Sequence, residues 1–207
     1  MILFYCLAVI IGYGFGCIST GYFLGKHEHI DIRTQGSGNI GTTNALRTLG
    51  IKGGVITLVG DMGKAVLAVL LVRYIGRNSG IYTPLLTLVT GLGVILGHNF
   101  PFWLHFKGGK GIAATAGLLL IFDWRVFVIA AVAFLIPVII TRYVSVGSLV
   151  FTTVLPIGII LFYRQAPEFP YMLGLGIALL VLAFIRHRSN LKRLAAGTEN
   201  KLGEKKK

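Results

Sequence analysis

The sequence predicts an all-α integral membrane protein with seven transmembrane helices, N-terminus outside and C-terminus in the cytoplasm. Three observations predict it. Of the 207 residues, 55% are hydrophobic and 13% charged, whereas a soluble domain carries about a quarter charged residues. Apolar runs of spanning length recur along the chain, a helix needing about 20 apolar residues at ~1.5 Å each to cross a ~30 Å hydrocarbon core. Basic residues collect in alternate connections between those runs.

The first run, residues 2–24, lacks a basic start and continues as one long apolar helix, so it is read as a span and not as a cleaved signal peptide. Cys6 and Cys17 lie in it, separated by roughly 16 Å of helix, too far to bridge. That spacing excludes a disulfide scaffold and a cysteine-based zinc site. Spans at 53–72 and 82–98 follow. Residues 111–122 form a short run closed by Asp123, Trp124 and Arg125. It is counted as a crossing with one end sunk below the surface, a re-entrant half-helix being the other form open to such a run. The last spans are 126–141, 146–163 and 170–185.

With seven crossings, Lys26, Arg33, Arg47, Lys52, Lys107, Lys110, Arg142 and the cluster from Arg186 onward share one side, and Arg73, Arg77, Arg125 and Arg164 the other. The positive-inside rule assigns the richer side to the cytoplasm. Residues 1–197 are expected to form a single membrane-embedded domain, and 198–207 a solvated basic tail near anionic lipid. No internal repeat is present, which argues against an inverted-repeat transporter.

A net charge of +13 in so apolar a chain calls for anionic headgroups or anionic substrates; disorder and a basic nucleic-acid arm are excluded, and no nucleic-acid partner is expected. The unusual polar segments all fall on the cytoplasmic side. The first is Gly36-Ser37-Gly38-Asn39-Ile40-Gly41-Thr42-Thr43-Asn44, with Arg47 beyond it. Glycines let backbone amides turn toward an anion, and Ser, Thr and Asn add donors. Its literal G-x-G-x-x-G match carries no weight, because no strand precedes it and no βαβ unit surrounds it. The second is Gly97-His98-Asn99-Phe100-Pro101 followed by Phe106-Lys107-Gly108-Gly109-Lys110-Gly111, which opens into the apolar run from Ile112. Amides at a helix N-terminus beside two lysines form a phosphate seat. It is not a Walker A loop, since Gly111 stands where that motif needs Ser or Thr.

Arg142-Tyr143-Val144-Ser145-Val146-Gly147-Ser148 joins two spans and taken alone reads as helix packing. Arg186-His187-Arg188-Ser189-Asn190 leads to Lys192 and Arg193; a stop signal explains the arginines but not His187 and Asn190, which share one helical face. Asp61 and Lys64, three residues apart inside a span, read as a mutual ion pair facing the bundle. His27, His29 and His105 read as solvated. No His/Cys/carboxylate spacing would hold a metal, so neither metal nor cofactor is expected.

Taken as a set, the run at 36–44 with Arg47, the Asp61 and Lys64 pair, Gly97-His98 with Lys107-Gly-Gly-Lys-Gly at 107–111, Arg142-Tyr-Val-Ser145, and Arg186-His-Arg with Asn190 resemble the bacterial membrane acyl-phosphate:glycerol-3-phosphate acyltransferases of the PlsY type. The resemblance runs from the first span to about residue 197, in the same order. It implies a multi-pass inner-membrane (plasma-membrane) enzyme with its active site on the cytoplasmic side. Such an enzyme moves a fatty acyl group from acyl phosphate to the 1-hydroxyl of sn-glycerol 3-phosphate, giving lysophosphatidate and phosphate, the first acylation of bacterial phospholipid synthesis. It also implies a functional link to the enzyme that makes acyl phosphate, and no use of acyl-CoA or acyl carrier protein. The catalytic positions so implied are Ser37, Arg47, Lys110 and His187. The phosphate-binding positions are Gly36, Gly38, Asn39, Gly41, Asn44, His98, Lys107, Gly108, Gly109, Gly111, Ser145 and Asn190, with Asp61 and Lys64 a structural pair.

The chemistry is hydroxyl attack on an activated carbonyl with phosphate leaving. Arg47 and Lys110 are expected to neutralise phosphate charge, and amides and Asn side chains to hold the developing oxyanion. The H-x-x-x-x-D acyltransferase pair is absent. The base is then His187 or the donor's own phosphate, with the latter preferred. No activated nucleophile is evident, so direct transfer without an acyl-enzyme is expected. A transporter using the same cations would carry its polar groups near the midplane, and a lipid-recruiting scaffold would leave the two glycine-rich segments unexplained.

Overall fold

A computed structural model describes residues 1–204; Lys205, Lys206 and Lys207 of the expected tail lie outside the described residues. Among the described residues the chain is helical throughout, without strands. Six segments are long and apolar enough to cross a membrane: Ile2–His27, Thr42–Ile75, Thr83–Leu104, Trp124–Thr141, Val144–Tyr163 and Phe169–Arg186. They coincide with the long runs read from hydropathy, and the short run is an 11-residue apolar helix, Ile112–Phe122. The chain divides into two compact units, Met1–Phe122 and the chain from Asp123 onward.

The first unit holds α1 (Ile2–Gly16), α2 (Thr20–His27), α3 (Thr42–Ile75), α4 (Thr83–Asn99), a 3₁₀ turn at Phe102–Leu104 and α5 (Ile112–Phe122). The first run is therefore two helices and not the single one expected. The break has a chemical cause: Lys64 Nζ donates to Gly16 O at 3.0 Å and Ile18 O at 2.6 Å, and Trp103 Nε1 donates to Cys17 O at 3.0 Å. Three consecutive carbonyls are satisfied from outside the helix, which supplies the donors that the carbonyls of a helix end otherwise lack. α3 likewise begins well before the expected residue 53. Gly50, at φ 74° and ψ −172°, adopts a conformation open essentially to glycine alone, so a separate N-terminal arm, 42–49, precedes the membrane stretch.

α1 and α4 run parallel. Gly12 and Gly16 of α1 meet Gly93 and Gly97 of α4, and a Cβ at any of the four would collide with the facing backbone, the small-x-x-x-small contact of membrane helices. α3 and α5 run the other way: Arg73, near the end of α3, donates to Thr87 Oγ1 near the start of α4 and to Ile121 O near the end of α5. Consequently Gly16, Thr42, Asn99 and Ile112 gather at one end. There Ile32 and, from the first glycine-rich segment, Ile40 share a buried cluster with Ala45 and Leu104, flanked by Tyr22, Leu49 and Trp103.

The second unit holds α6 (Trp124–Thr141), α7 (Val144–Tyr163), α8 (Phe169–Arg186) and α9 (Arg188–Ala195). Asp123 caps α6 by accepting from Arg125 N at 2.9 Å, and also accepts from the phenol Oη of Tyr163 at the end of α7 at 3.1 Å, which fixes α6 and α7 antiparallel. Hydrogen bonding to the Arg125 side chain leads the interactions that hold the Asp123 carboxyl below the usual carboxylate range. The expected solvated tail is corrected. Glu199 is 8% exposed, Leu202 N donates to Arg142 O at 2.8 Å, and Arg142 Nε and Nη2 donate back to Leu202 O at 3.1 and 2.7 Å.

Candidate functional site

In the first unit, the glycine-rich loop at 36–41 is organised from within. Ser37 N and Oγ donate to Asn44 Oδ1 at 2.8 and 3.2 Å, and Asn44 Nδ2 donates to Ile32 O and Gln35 O at 3.0 and 3.1 Å. Asn44 is buried and its carboxamide bonds organise the loop. Gly38 N donates to Gln35 O at 2.9 Å, and Gly41 N to Asn39 Oδ1 at 2.9 Å. These amides close turns within the loop. What the loop presents outward is exposed Gly36, Ser37 and Gly38, with Arg47 exposed one turn beyond Asn44. Arg33 is committed elsewhere: it binds Asp31 through Nε at 2.9 Å and Nη2 at 2.8 Å, and its side-chain hydrogen bonds hold the Asp31 carboxyl at about 2.

The second segment is built the same way. Gly108 N donates to Asn99 O at 3.1 Å and Gly109 N to His98 O at 3.0 Å, closing a turn back onto the end of α4. In this turn both amides serve the backbone. Their glycines are required for another reason. A Cβ on Gly108 would collide with His98 O and lie 2.5 Å from Pro101 Cδ, and one on Gly109 would collide with His98 Nε2. The first intrahelical bond of α5 is Thr115 N to Gly111 O at 2.7 Å, so the amides of Ile112, Ala113 and Ala114 have no intrahelical acceptor. That helix start, with Gly111 leading into it, half-buried Lys110 behind it and exposed Lys107 in the same turn, is where the unit concentrates positive potential. Asn99 is fully buried against Gly111, and among the described residues neither its Oδ1 nor its Nδ2 has a partner.

Beneath the turn, Asp61 and Lys64 pair at 3.0 Å, both almost fully buried. The pair is part of a larger hub: Thr20 Oγ1 donates to Asp61 Oδ1 at 3.2 Å, and Lys64 Nζ lies 2.9 Å from His98 Nδ1. Sequence reasoning caught the ion pair and missed the hub, because Thr20, Gly16 and Ile18 carry no signal of their own.

The second unit gathers its own polar cluster at one end. Glu199 Oε1 accepts from Ser145 Oγ at 3.1 Å and from Asn190 Nδ2 at 2.7 Å, while Oε2 accepts from Arg193 Nε at 2.7 Å. Ser145 and Asn190 are thus brought together through Glu199, a residue that sequence reasoning missed. An isolated acidic residue nine positions after Asn190 in a strongly basic tail was the available signal. Ser148 bonds back to Val144 O at 2.8 Å. His187 is buried, its Nδ1 2.8 Å from Ala183 O. A carbonyl only accepts, so Nδ1 carries a proton, and in the neutral ring Nε2 is then the acceptor.

A family model described as glycerol-3-phosphate acyltransferase matches residues 6–197. The chain is 42% identical over 205 residues to a glycerol-3-phosphate acyltransferase of Clostridioides difficile, covering 98% of this chain and 97% of that one. It is 40% identical over 209 residues to that of Shouchella clausii, covering 99% of each. Among solved structures it is similar to PlsY (YgiH), an integral membrane glycerol 3-phosphate acyltransferase. The glycerol 3-phosphate form superposes with a TM-score of 0.84 at 31% identity over 96% of each chain, and the lysophosphatidic acid form with a TM-score of 0.82.

Proposed function

Because the chain belongs to the glycerol-3-phosphate acyltransferase family, as a PlsY-type multi-pass membrane enzyme, we propose that it transfers an acyl group from acyl phosphate to the 1-hydroxyl of sn-glycerol 3-phosphate, releasing lysophosphatidate and phosphate. The observation that carries this reading is the closure of both glycine-rich segments over one buried cluster at the same end of the first unit. Ser37, Arg47 and Lys110 are read as the groups that, with the start of α5, take the phosphoryl groups there. The protein is read as an inner-membrane enzyme with that end in the cytoplasm and α5 as the seventh crossing. α5 runs from Asn99 back to Thr87 alongside α4, which supports a crossing whose far end is slightly sunk. The acyl phosphate comes from a separate acyl-phosphate-forming enzyme.

Lys110 and Arg47 neutralise phosphate charge, and Ser37 hydrogen-bonds a phosphoryl oxygen. The leaving phosphate accepts the hydroxyl proton. His187, held with Nε2 as acceptor, takes a hydrogen bond from a substrate hydroxyl. His187→Ala is then expected to raise the KM for glycerol 3-phosphate by about tenfold, the worth of one oriented hydrogen bond, with kcat at saturation nearly unchanged. A collapse of kcat without a change in KM assigns proton transfer to His187 instead. The reading as a whole is tested by incubating purified protein with acyl phosphate and labelled glycerol 3-phosphate, without CoA or carrier protein. Labelled lysophosphatidate is expected, with acyl-CoA giving none; product from acyl-CoA alone refutes the donor assignment.

A further inference from the structure

Only His187 separates α9 from α8, a segment long and apolar enough to cross a membrane that keeps Val181, Phe184 and Ile185 exposed near its end. The eight residues of α9 therefore lie where that span leaves the bilayer. At about 3.6 residues per turn, His187, Asn190 and Leu194 fall on one side of α9. Leu191, Ala195, Arg188 and Lys192 follow one another, in that order, around the other side. Burial obeys the division: His187 and Asn190 are buried and Leu194 half-buried, whereas Leu191, Ala195, Arg188 and Lys192 are all exposed. The inward side is occupied by Glu199, which accepts from Asn190 and also neutralises Arg193. Arg188 and Lys192 enter no ion pair among the described residues. Two like charges four residues apart destabilise a helix, and an anion lying over both relieves the repulsion. The exposed Leu191 and Ala195 beside them decide which anion: a free phosphate gains nothing from an apolar strip, while an amphiphile with an anionic head uses the strip and the cations together.

We propose that the outward face of α9 is a docking surface for anionic phospholipid. Arg188 and Lys192 bind the phosphodiester headgroups, and Leu191 and Ala195 enter the boundary between headgroups and acyl chains. α9 then lies in the membrane surface with one side on the lipid and the other on the Ser145, Asn190 and Glu199 cluster. The tail does not share this surface in the same way, because Lys201 sits over the Tyr143 ring and Leu202 is bonded to Arg142. The proposal concerns a face of α9 opposite the groups read as substrate-binding, and it holds whichever acyl donor the protein uses.

The test uses full-length protein with Cys6→Ala and Cys17→Ala, its two cysteines, and a nitroxide spin label on Ala195→Cys. The protein is reconstituted in vesicles of phosphatidylcholine alone or of phosphatidylcholine with phosphatidylglycerol. Collision of the label with a water-soluble paramagnetic reagent is read by power saturation. The label is expected to be protected in the vesicles that contain phosphatidylglycerol and open to the reagent in phosphatidylcholine alone. That protection is expected to be lost at about 1 M salt, where the screening length falls to about 3 Å. It is expected to be lost as well in Arg188→Gln/Lys192→Gln, whose two side chains are exposed and whose replacement leaves the buried side of α9 intact. Equal collision rates in the two lipids overturn the proposal. So does protection that survives the loss of both cations, which would place the attracting charge elsewhere. Dipolar broadening between labels on two protein molecules would give the face to a second copy and overturn it too. None of these readouts requires turnover, so a protein protected by phosphatidylglycerol that makes no lysophosphatidate refutes the acyl-transfer reading and not the lipid surface.

Discussion

Gly108→Ala is expected to raise the KM for a phosphoryl substrate by about a hundredfold or more, the equivalent of roughly 2.7 kcal/mol of binding, while the protein still extracts and migrates as a folded species. The cause is local. The added Cβ meets His98 O, a backbone atom, and lies 2.8 Å from the Asn99 carbonyl carbon and 2.5 Å from Pro101 Cδ. No side-chain rotation relieves a clash with backbone, so the 99–108 turn must open. Opening it breaks the Gly108 N to Asn99 O bond and carries Lys107, Lys110 and the start of α5 away from the Ser37 and Arg47 loop. The helices below are held by other contacts, the α1 and α4 glycine seam and the Arg73 bonds to Thr87 and Ile121, which is why binding is lost before folding. Substrate titrations on purified Gly108→Ala, beside circular dichroism of the same sample, check both halves of the expectation.

Glu199→Ala is expected to lower the stability of the second unit by about 2–4 kcal/mol, the range for removing a buried, hydrogen-bonded carboxylate, and to cut activity as well. One carboxylate holds Ser145 at the start of α7, Asn190 on α9 and Arg193 one turn further on. Its loss strands Ser145 and Asn190, which are 5% exposed each, and releases the segment that Leu202 docks on Arg142. The Arg193 contact contributes least, because that side chain is about a third exposed and water replaces its partner. Glu199→Gln keeps an acceptor for Ser145 and Asn190 and gives up the charge, so it is expected to fall between wild type and Glu199→Ala. Thermal unfolding in detergent measures the order; equal losses from Gln and Ala would show that charge, and not the three-way hydrogen bond, is what matters.

The spans were legible in the sequence because hydropathy over 17 or more residues is a local property, and the polar segments because glycine, asparagine and lysine clusters stand out between them. What escaped was set by partners far along the chain. The break after Gly16 depends on Lys64 and Trp103, distant in sequence. The bend at Gly50 has no pattern around it. The glycines at 108 and 109 stand out in the sequence, but their part in the fold does not: their amides close a turn, and their missing side chains make room for His98. Nothing around Asn44 in the sequence announces that its carboxamide bonds Ser37, Ile32 and Gln35. Glu199 was set aside with a tail whose net charge concealed its one buried carboxylate.

The central claim is that the two glycine-rich segments of the first unit form a phosphoryl site together. An experimental structure with glycerol 3-phosphate and a non-hydrolysable acyl phosphate analogue bound tests it most directly. The account predicts phosphoryl density within hydrogen-bond reach of Lys110 and the first amides of α5, with Ser37 or Arg47 contacting a phosphoryl oxygen in the same complex. Phosphoryl density remote from both segments, in a preparation that turns over acyl phosphate, would contradict it.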